Sequence, residues 1–218
     1  MSDTTFDVNA FIQESKDVLV NPKSHFSGMK TTGGGMTEPL IKAVIYGAIS
    51  GAISFLWSLL KIGEMTGGMF GGAMGVMVFI WSIVFAIVGL FIGAVVLLVI
   101  SSICKGNTDF EANVRVTATV MVMMPISAFF GFAGHFNPYL GVIVSLAVNL
   151  FALWLLYNGL IEALKSNPET TKIVSYVLVA IFIVFILTGF GARKRANQFM
   201  NDFNNKEVKE MLRDSPKR

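Results

Sequence analysis

Residues 69–104 read MFGGAMGVMVFIWSIVFAIVGLFIGAVVLLVISSIC, without one Asp, Glu, Lys or Arg. About 20 apolar residues suffice for a helix to cross the hydrocarbon core of a bilayer. This run is too long for one upright crossing and too short for two crossings joined by a turn. Its glycine-rich start (Gly67, Gly68, Gly71, Gly72, Gly75) predicts a loop or partial entry before a helix that begins at about Met77. That leaves one crossing.

Four other runs of membrane length lie around it: about Pro39 to Leu60, Val116 to Ala133, Tyr139 to Leu160 and Ile173 to Phe190. The predicted fold class is all-α integral membrane, a five-helix transmembrane bundle with an N-terminal interfacial amphipathic helix. Composition agrees. Of 218 residues, 54% are hydrophobic and 14% charged, against about 25% charged in a typical globular domain. So few charges leave nothing to cover a soluble core, which excludes a soluble enzyme. The lone Cys104 excludes a disulfide framework within the chain and a cysteine-based metal site. The first residues are polar and acidic (Asp3, Asp7, Glu14, Asp17) and carry no basic n-region, so they are not a secretory signal peptide. The expected organisation is interfacial helices and a glycine-rich loop over 1–36, a five-span domain over 37–192, and a basic amphipathic tail over 193–218.

Residues 6–20 read as a short amphipathic helix. Val8, Phe11, Ile12, Val18 and Leu19 recur near helical spacing, with Asn9, Gln13, Glu14, Lys16 and Asp17 on the other side. Such a stripe suits either the bilayer surface or the protein's own membrane domain. Asn21-Pro22-Lys23 then ends one helix and starts the next, because proline disfavours helical geometry in the residue before it and suits the first helical position. The second helix runs to about Met29, and Thr31 to Met36 form a loop with three consecutive glycines. In the loop after the long run, Gly106 fits a helix C-terminus just past Lys105. Thr108 and Glu111 match a capping box for the following helix. That helix starts wet (Asp109, Glu111, Asn113, Arg115) and kinks at Pro125. Gly47/Gly51 and Gly89/Gly93 are four-residue small pairs, expected to serve packing within the chain.

Lys and Arg counts do not decide orientation. Lys23, Lys30, Lys42, Lys105, Arg115, Lys165 and Lys172 fall on one face of a five-span chain; Lys61 and the Arg193-Lys194-Arg195 cluster fall on the other.

Taken in order, these features resemble the Yip-domain family, the Ypt/Rab-interacting membrane proteins, in their bacterial form. The resemblance is carried by Val18-Leu19-Val20-Asn21-Pro22-Lys23, the long second span ending at Lys105-Gly106, the proline-containing third span, and Asn158-Gly159-Leu160-Ile161-Glu162-Ala163. It covers about residues 8–190. It implies five spans, a cytosolic N-terminus and, in eukaryotic members, work with prenylated Rab GTPases. The basic C-terminal tail departs from the family pattern.

Polar side chains inside spans suggest function. Asn149 lies mid-span in the fourth run, while Asn158 and Glu162 share one face at its end and are placed to reach Lys105 or Arg115. One interhelical hydrogen bond is the preferred account of Asn149, and a structural ion pair or solvated helix end that of Asn158 and Glu162. His25 and His135 fall on opposite sides of the membrane and make no shared metal site. No in-span histidine faces Ser50, so serine catalysis is not expected. No cofactor, metal or nucleic-acid partner is expected. The expected protein is a non-enzymatic multi-pass protein of a bacterial inner membrane that shapes the membrane or adapts partners. Its contacts would be lipids, other membrane proteins or itself, through Asn21, Pro22 and Lys23. The alternative is a small transporter or lipid scramblase built around Asn149.

Overall fold

The computed structural model describes residues 7–60, 71–186 and 188. The chain divides into two compact units, Met1–Val177 and Leu178–Arg218. Of the second, residues 178–186 and 188 are described, and they are helical. The expected C-terminal tail and the segment 61–70 ahead of the long helix lie outside the described residues.

Two short helices come first, α1 (Val8–Val20) and α2 (Pro22–Gly28), then α3 (Thr37–Leu59) and α4 (Gly71–Ile103). After a turn come α5 (Phe110–Val120) and α6 (Met123–Phe130), the one-turn α7 (Ala133–Phe136), and α8 (Pro138–Asn158), which runs into a π-helical turn over Gly159–Ala163. The last described helix, α9, covers Pro168–Ile186. Among the described residues, five stretches are long and apolar enough to cross a membrane: Thr37–Leu59, Val76–Ile103, Phe110–Phe130, Tyr139–Ala163 and Pro168–Ile186. The protein is thus an all-α multi-pass membrane protein. The long second run corrects one expectation, since its helix already begins at Gly71 rather than at Met77. At 33 residues it is about 50 Å long at 1.5 Å per residue.

Local chemistry accounts for most boundaries. Asp7 caps α1 by accepting from the amides of Asn9 and Ala10. Asn21 closes α1 through its own N–H to Asp17 and opens α2 by accepting from the Ser24 amide, with Pro22 at the first helical position. The third span breaks between Val120 and Met123. Pro125 has no N–H to give the Met121 carbonyl, which accepts instead from Met124 at 2.9 Å. The expected capping box is corrected. The N-cap is Asp109, which accepts from the Ala112 amide at 3.0 Å, and Glu111 turns elsewhere.

Helix packing rests on small residues, as it must where lipid removes the hydrophobic drive between helices. A side chain on Gly47 would lie 2.7 Å from Ala86 Cβ, and α4 also fills the space beside Gly51. The second small pair divides: Gly93 meets Thr117 on α5, whereas Gly89 faces open space. On the other side of the bundle, Phe11 and Val18 of α1 pack with Tyr46, Val122, Met123 and Leu155. Phe26 of α2 is fully buried with Leu97, Val116 and Leu160. Removing one such side chain from water is worth about 2 kcal/mol. Helix α1 therefore docks on the protein's own domain, while Val8, Ile12 and Val20 stay exposed.

Two turns lock the loop face together. After α4, Lys105 takes a left-handed φ of 56°, and the Gly106 amide reaches back to Ser101 O at 2.8 Å. After α8, Lys165 takes φ 53°, and the Ser166 amide reaches Leu160 O at 3.0 Å. The turns then exchange backbone bonds: Asn107 N–H donates to Leu164 O (2.7 Å) and Asn167 N–H to Cys104 O (2.8 Å). Lys105-Gly106-Asn107 and Lys165-Ser166-Asn167 thus form a reciprocal pair. Gly106 is needed for the approach, because a Cβ there would lie 2.1 Å from Ser166 Oγ.

Candidate functional site

Four charged side chains of α3 and α5 meet Glu14 of α1 at one place, under α1 and α2. Glu38 and Lys42 stand one turn apart at the start of α3. Glu111 and Arg115 do the same on α5. Lys42 Nζ binds Glu14 of α1 and Glu38 (2.8 Å). Arg115 gives Nη1 to Glu38 (2.9 Å), Nε to Glu111 (3.1 Å) and Nη2 to Gly35 O (3.1 Å). The Lys42 and Arg115 side chains are only 10% and 8% exposed. Tyr46, one turn below Lys42, hydrogen-bonds Ser15 of α1 at 2.8 Å.

The glycine loop exists to serve Arg115. Gly33 and Gly35 have φ of 85° and 70°, conformations open to glycine without strain. Gly34 would place a Cβ 2.0 Å from Arg115 Nη2, so the guanidinium lies against bare backbone. The amides of Gly34 and Gly35 then donate to Glu111 Oε1 at 3.0 and 2.8 Å.

His25 of α2 completes the cluster. Its Nε2 lies 3.7 Å from Glu14, beyond hydrogen-bond range, and is buried without a partner. Burial, helped by the Lys42 charge, pushes the His25 pKa below its ordinary value against the opposing pull of Glu14 and Asp17. Its ring is therefore neutral at pH 7. Between these groups lies a cavity of about 540 Å³, lined by Lys42, Arg115, Glu14, Glu38 and His25, with Lys30 at its edge and Pro39 and Ala118 on its apolar side.

The residues singled out from sequence are distributed differently. Asn21 and Pro22 form the α1–α2 junction, and exposed Lys23 stands 3.9 Å from Glu162. The expected pairing of Glu162 with Lys105 or Arg115 is therefore corrected: Arg115 is taken by Glu38 and Glu111, and α2 brings Lys23 to the π-turn instead. Gly159 opens that turn beside Phe26, where a Cβ would lie 3.4 Å from the ring. Asn158 is buried and gives its amide to Trp154 O of its own helix. Asn149 stands apart, bonded to Ser145 O at 2.8 Å. It lines a lateral groove of about 460 Å³ with Gly93, Thr117, Met121 and Met124. His135 falls within α7.

Sequence reading missed Glu14, Glu38, Lys42, Glu111, Arg115 and His25 as one site. A signal was present: Lys42 and Arg115 are basic residues within membrane-length helices, and each has a carboxylate four residues before it. Those neighbours disguise both as ordinary helix-surface pairs.

Comparison with curated proteins and with solved structures finds no match. The Yip1 domain matches over residues 16–190, from the middle of α1 through the last span. That match covers most of the chain and every element that builds the charge cluster except Glu14, so the protein belongs to the Yip1-domain family.

Proposed function

We propose that this protein is an organiser of a bacterial inner membrane that presents the α1–α2 cap, on its cytosolic face, as a platform for partner proteins or lipids. The family consists of non-enzymatic membrane proteins that interact with other proteins. The observation that supports the platform most is the clamp of Lys42 and Arg115 on Glu14, Glu38 and Glu111. Insertion of five apolar spans needs no such clamp, and ion pairs taken out of water are costly compared with apolar packing. What this one achieves is to hold an N-terminal helix and a glycine loop in one place. Lys23 and Val20 are exposed at the outer corner of the cap.

The test is site-specific photocrosslinking in native membranes, with probes at Val20 and Lys23 compared with a probe at the exposed Ile143 of α8. Discrete products from the cap positions alone, lost in Arg115→Met protein that still inserts, are expected. The same products from all three positions would refute the platform.

A second reading, a small transporter or scramblase, draws on Asn149 in its lateral groove. Flux of fluorescent phospholipid or small solutes in liposomes, abolished by Asn149→Leu, would favour it.

A further inference from the structure

We infer that the cavity beneath the cap binds the phosphodiester of a phospholipid headgroup. This deepens the platform reading and rests on it for the cavity's position at the membrane surface. Three observations converge. The first is spare donors. An ammonium has three N–H groups and a guanidinium five. Lys42 uses its contacts on Glu14 and Glu38, and Arg115 uses three N–H groups on Glu38, Glu111 and Gly35. One N–H of Lys42 and two of Arg115 remain, beside the unpartnered His25 Nε2, which adds a donor in its Nε2–H tautomer. The lining carboxylates already have cations. What the cavity offers an incoming group is donors, and an acceptor-rich anion uses them best.

The second observation is charge. Lys30, Lys42 and Arg115 line the cavity against Glu14 and Glu38, which leaves one positive charge while His25 is neutral. Glu111 does not line it and sits behind Arg115, held also by the Gly34 and Gly35 amides, so the cluster as a whole is neutral and the single positive charge belongs to the cavity wall. A phosphodiester carries one negative charge. The third is placement. Lys42 is the last charged residue before the apolar body of α3 begins at Ala43, and Pro39 and Ala118 give the cavity an apolar side. An amphiphile with its phosphate at Lys42 would direct its tails along the spans.

The test uses the full chain in detergent, with native mass spectrometry to count bound molecules. The probes are dioleoyl phosphatidylglycerol, dioleoylglycerol (the same tails without phosphate) and inorganic phosphate. Two variants spare the ion pairs. Lys30→Glu reverses a charge at the edge, and Gly28→Trp adds a bulky side chain at a lining position where a Cβ meets no neighbour. One phosphatidylglycerol per chain and no dioleoylglycerol are expected. Binding should weaken about five-fold in Lys30→Glu, the equivalent of roughly one surface charge contact, and disappear in Gly28→Trp, with unfolding temperatures unchanged. Displacement by millimolar inorganic phosphate would keep the phosphate site and assign it a soluble source. Equal retention of dioleoylglycerol, or full binding by Gly28→Trp, would overturn the inference. Cap crosslinks that persist in Gly28→Trp would show the platform standing without the lipid site.

Discussion

The turns after α4 and after α8 are nearly the same piece of backbone, yet they lead into helices with opposite fates. Both place a lysine in the left-handed region, then a small residue, then an asparagine whose side chain accepts from the amide two residues on, at 2.8 Å for Asn107 and 3.0 Å for Asn167. Each turn gives the other one backbone bond. Beyond the first, α5 buries Asn113, Arg115 and Thr119; beyond the second, α9 turns Ile173 and Tyr176 outward. Arg115 and Ser175 hold the same place in the two helices, eight residues after the respective asparagine. The backbone device sets where a helix starts, and the side chains one to two turns later decide whether it carries charge into the protein or meets lipid.

Breaking the difference should have the largest effect. Arg115→Met leaves Glu38 and Glu111 without their guanidinium. It should lower stability by about 3 kcal/mol, the low end for breaking a buried pair, because Glu38 is half exposed and regains water. Ser175→Ala, at the matching position of α9, should change little. Thermal unfolding in detergent measures both, and an Arg115→Met protein that melts with wild type would mean that the cluster clamps nothing.

Breaking the likeness should come next. Only one of the paired turns can carry a side chain at its second position, and Ser166 occupies that space. Gly106→Ala should cost about 1–3 kcal/mol through overpacking, against Ser166 Oγ, Ser101 Oγ and Leu164 O. Adding Ser166→Gly should recover part of the loss. A double-mutant cycle with no coupling between the two would separate the turns energetically.

The smallest effect should be shared equally. Left-handed lysine is strained, and glycine relieves that strain at some cost in unfolded-state entropy. Lys105→Gly and Lys165→Gly should each raise stability by about 0.5 kcal/mol in the same unfolding assay. A gain at one site and a loss at the other would end the equivalence.

The comparison also marks how far the sequence could be read. Apolar length identified all five crossings, because a membrane span is a one-dimensional property of the chain. Asn21-Pro22 was legible as a double cap, since capping involves only the next few residues. Pro125 was legible as a break for the same reason. The second glycine-rich segment is helical from Gly71 where a loop is expected, because clustered glycines carry the same local signal in a membrane helix as in a loop. Thr108 reads as a cap because Glu111 completes a local pattern, but Glu111 is claimed by amides 76 and 77 residues away, and Asp109 caps the helix.

By itself, the sequence determined that this chain is a five-span membrane protein with a helix pair ahead of its first span. Hydropathy and capping act over a few residues to a few turns, and the order of those features points to the Yip1-domain family. Only the tertiary structure decided which charges meet. Glu14, Glu38, Lys42, Glu111 and Arg115 come from three helices, and each pair of near neighbours also satisfies a plain surface helix. Their burial, the cavity between them and the reciprocal turns depend on distances across the bundle. Those distances are set by glycines at the contacts, whose packing role follows from their spacing but whose partners appear only with the opposing backbone in place.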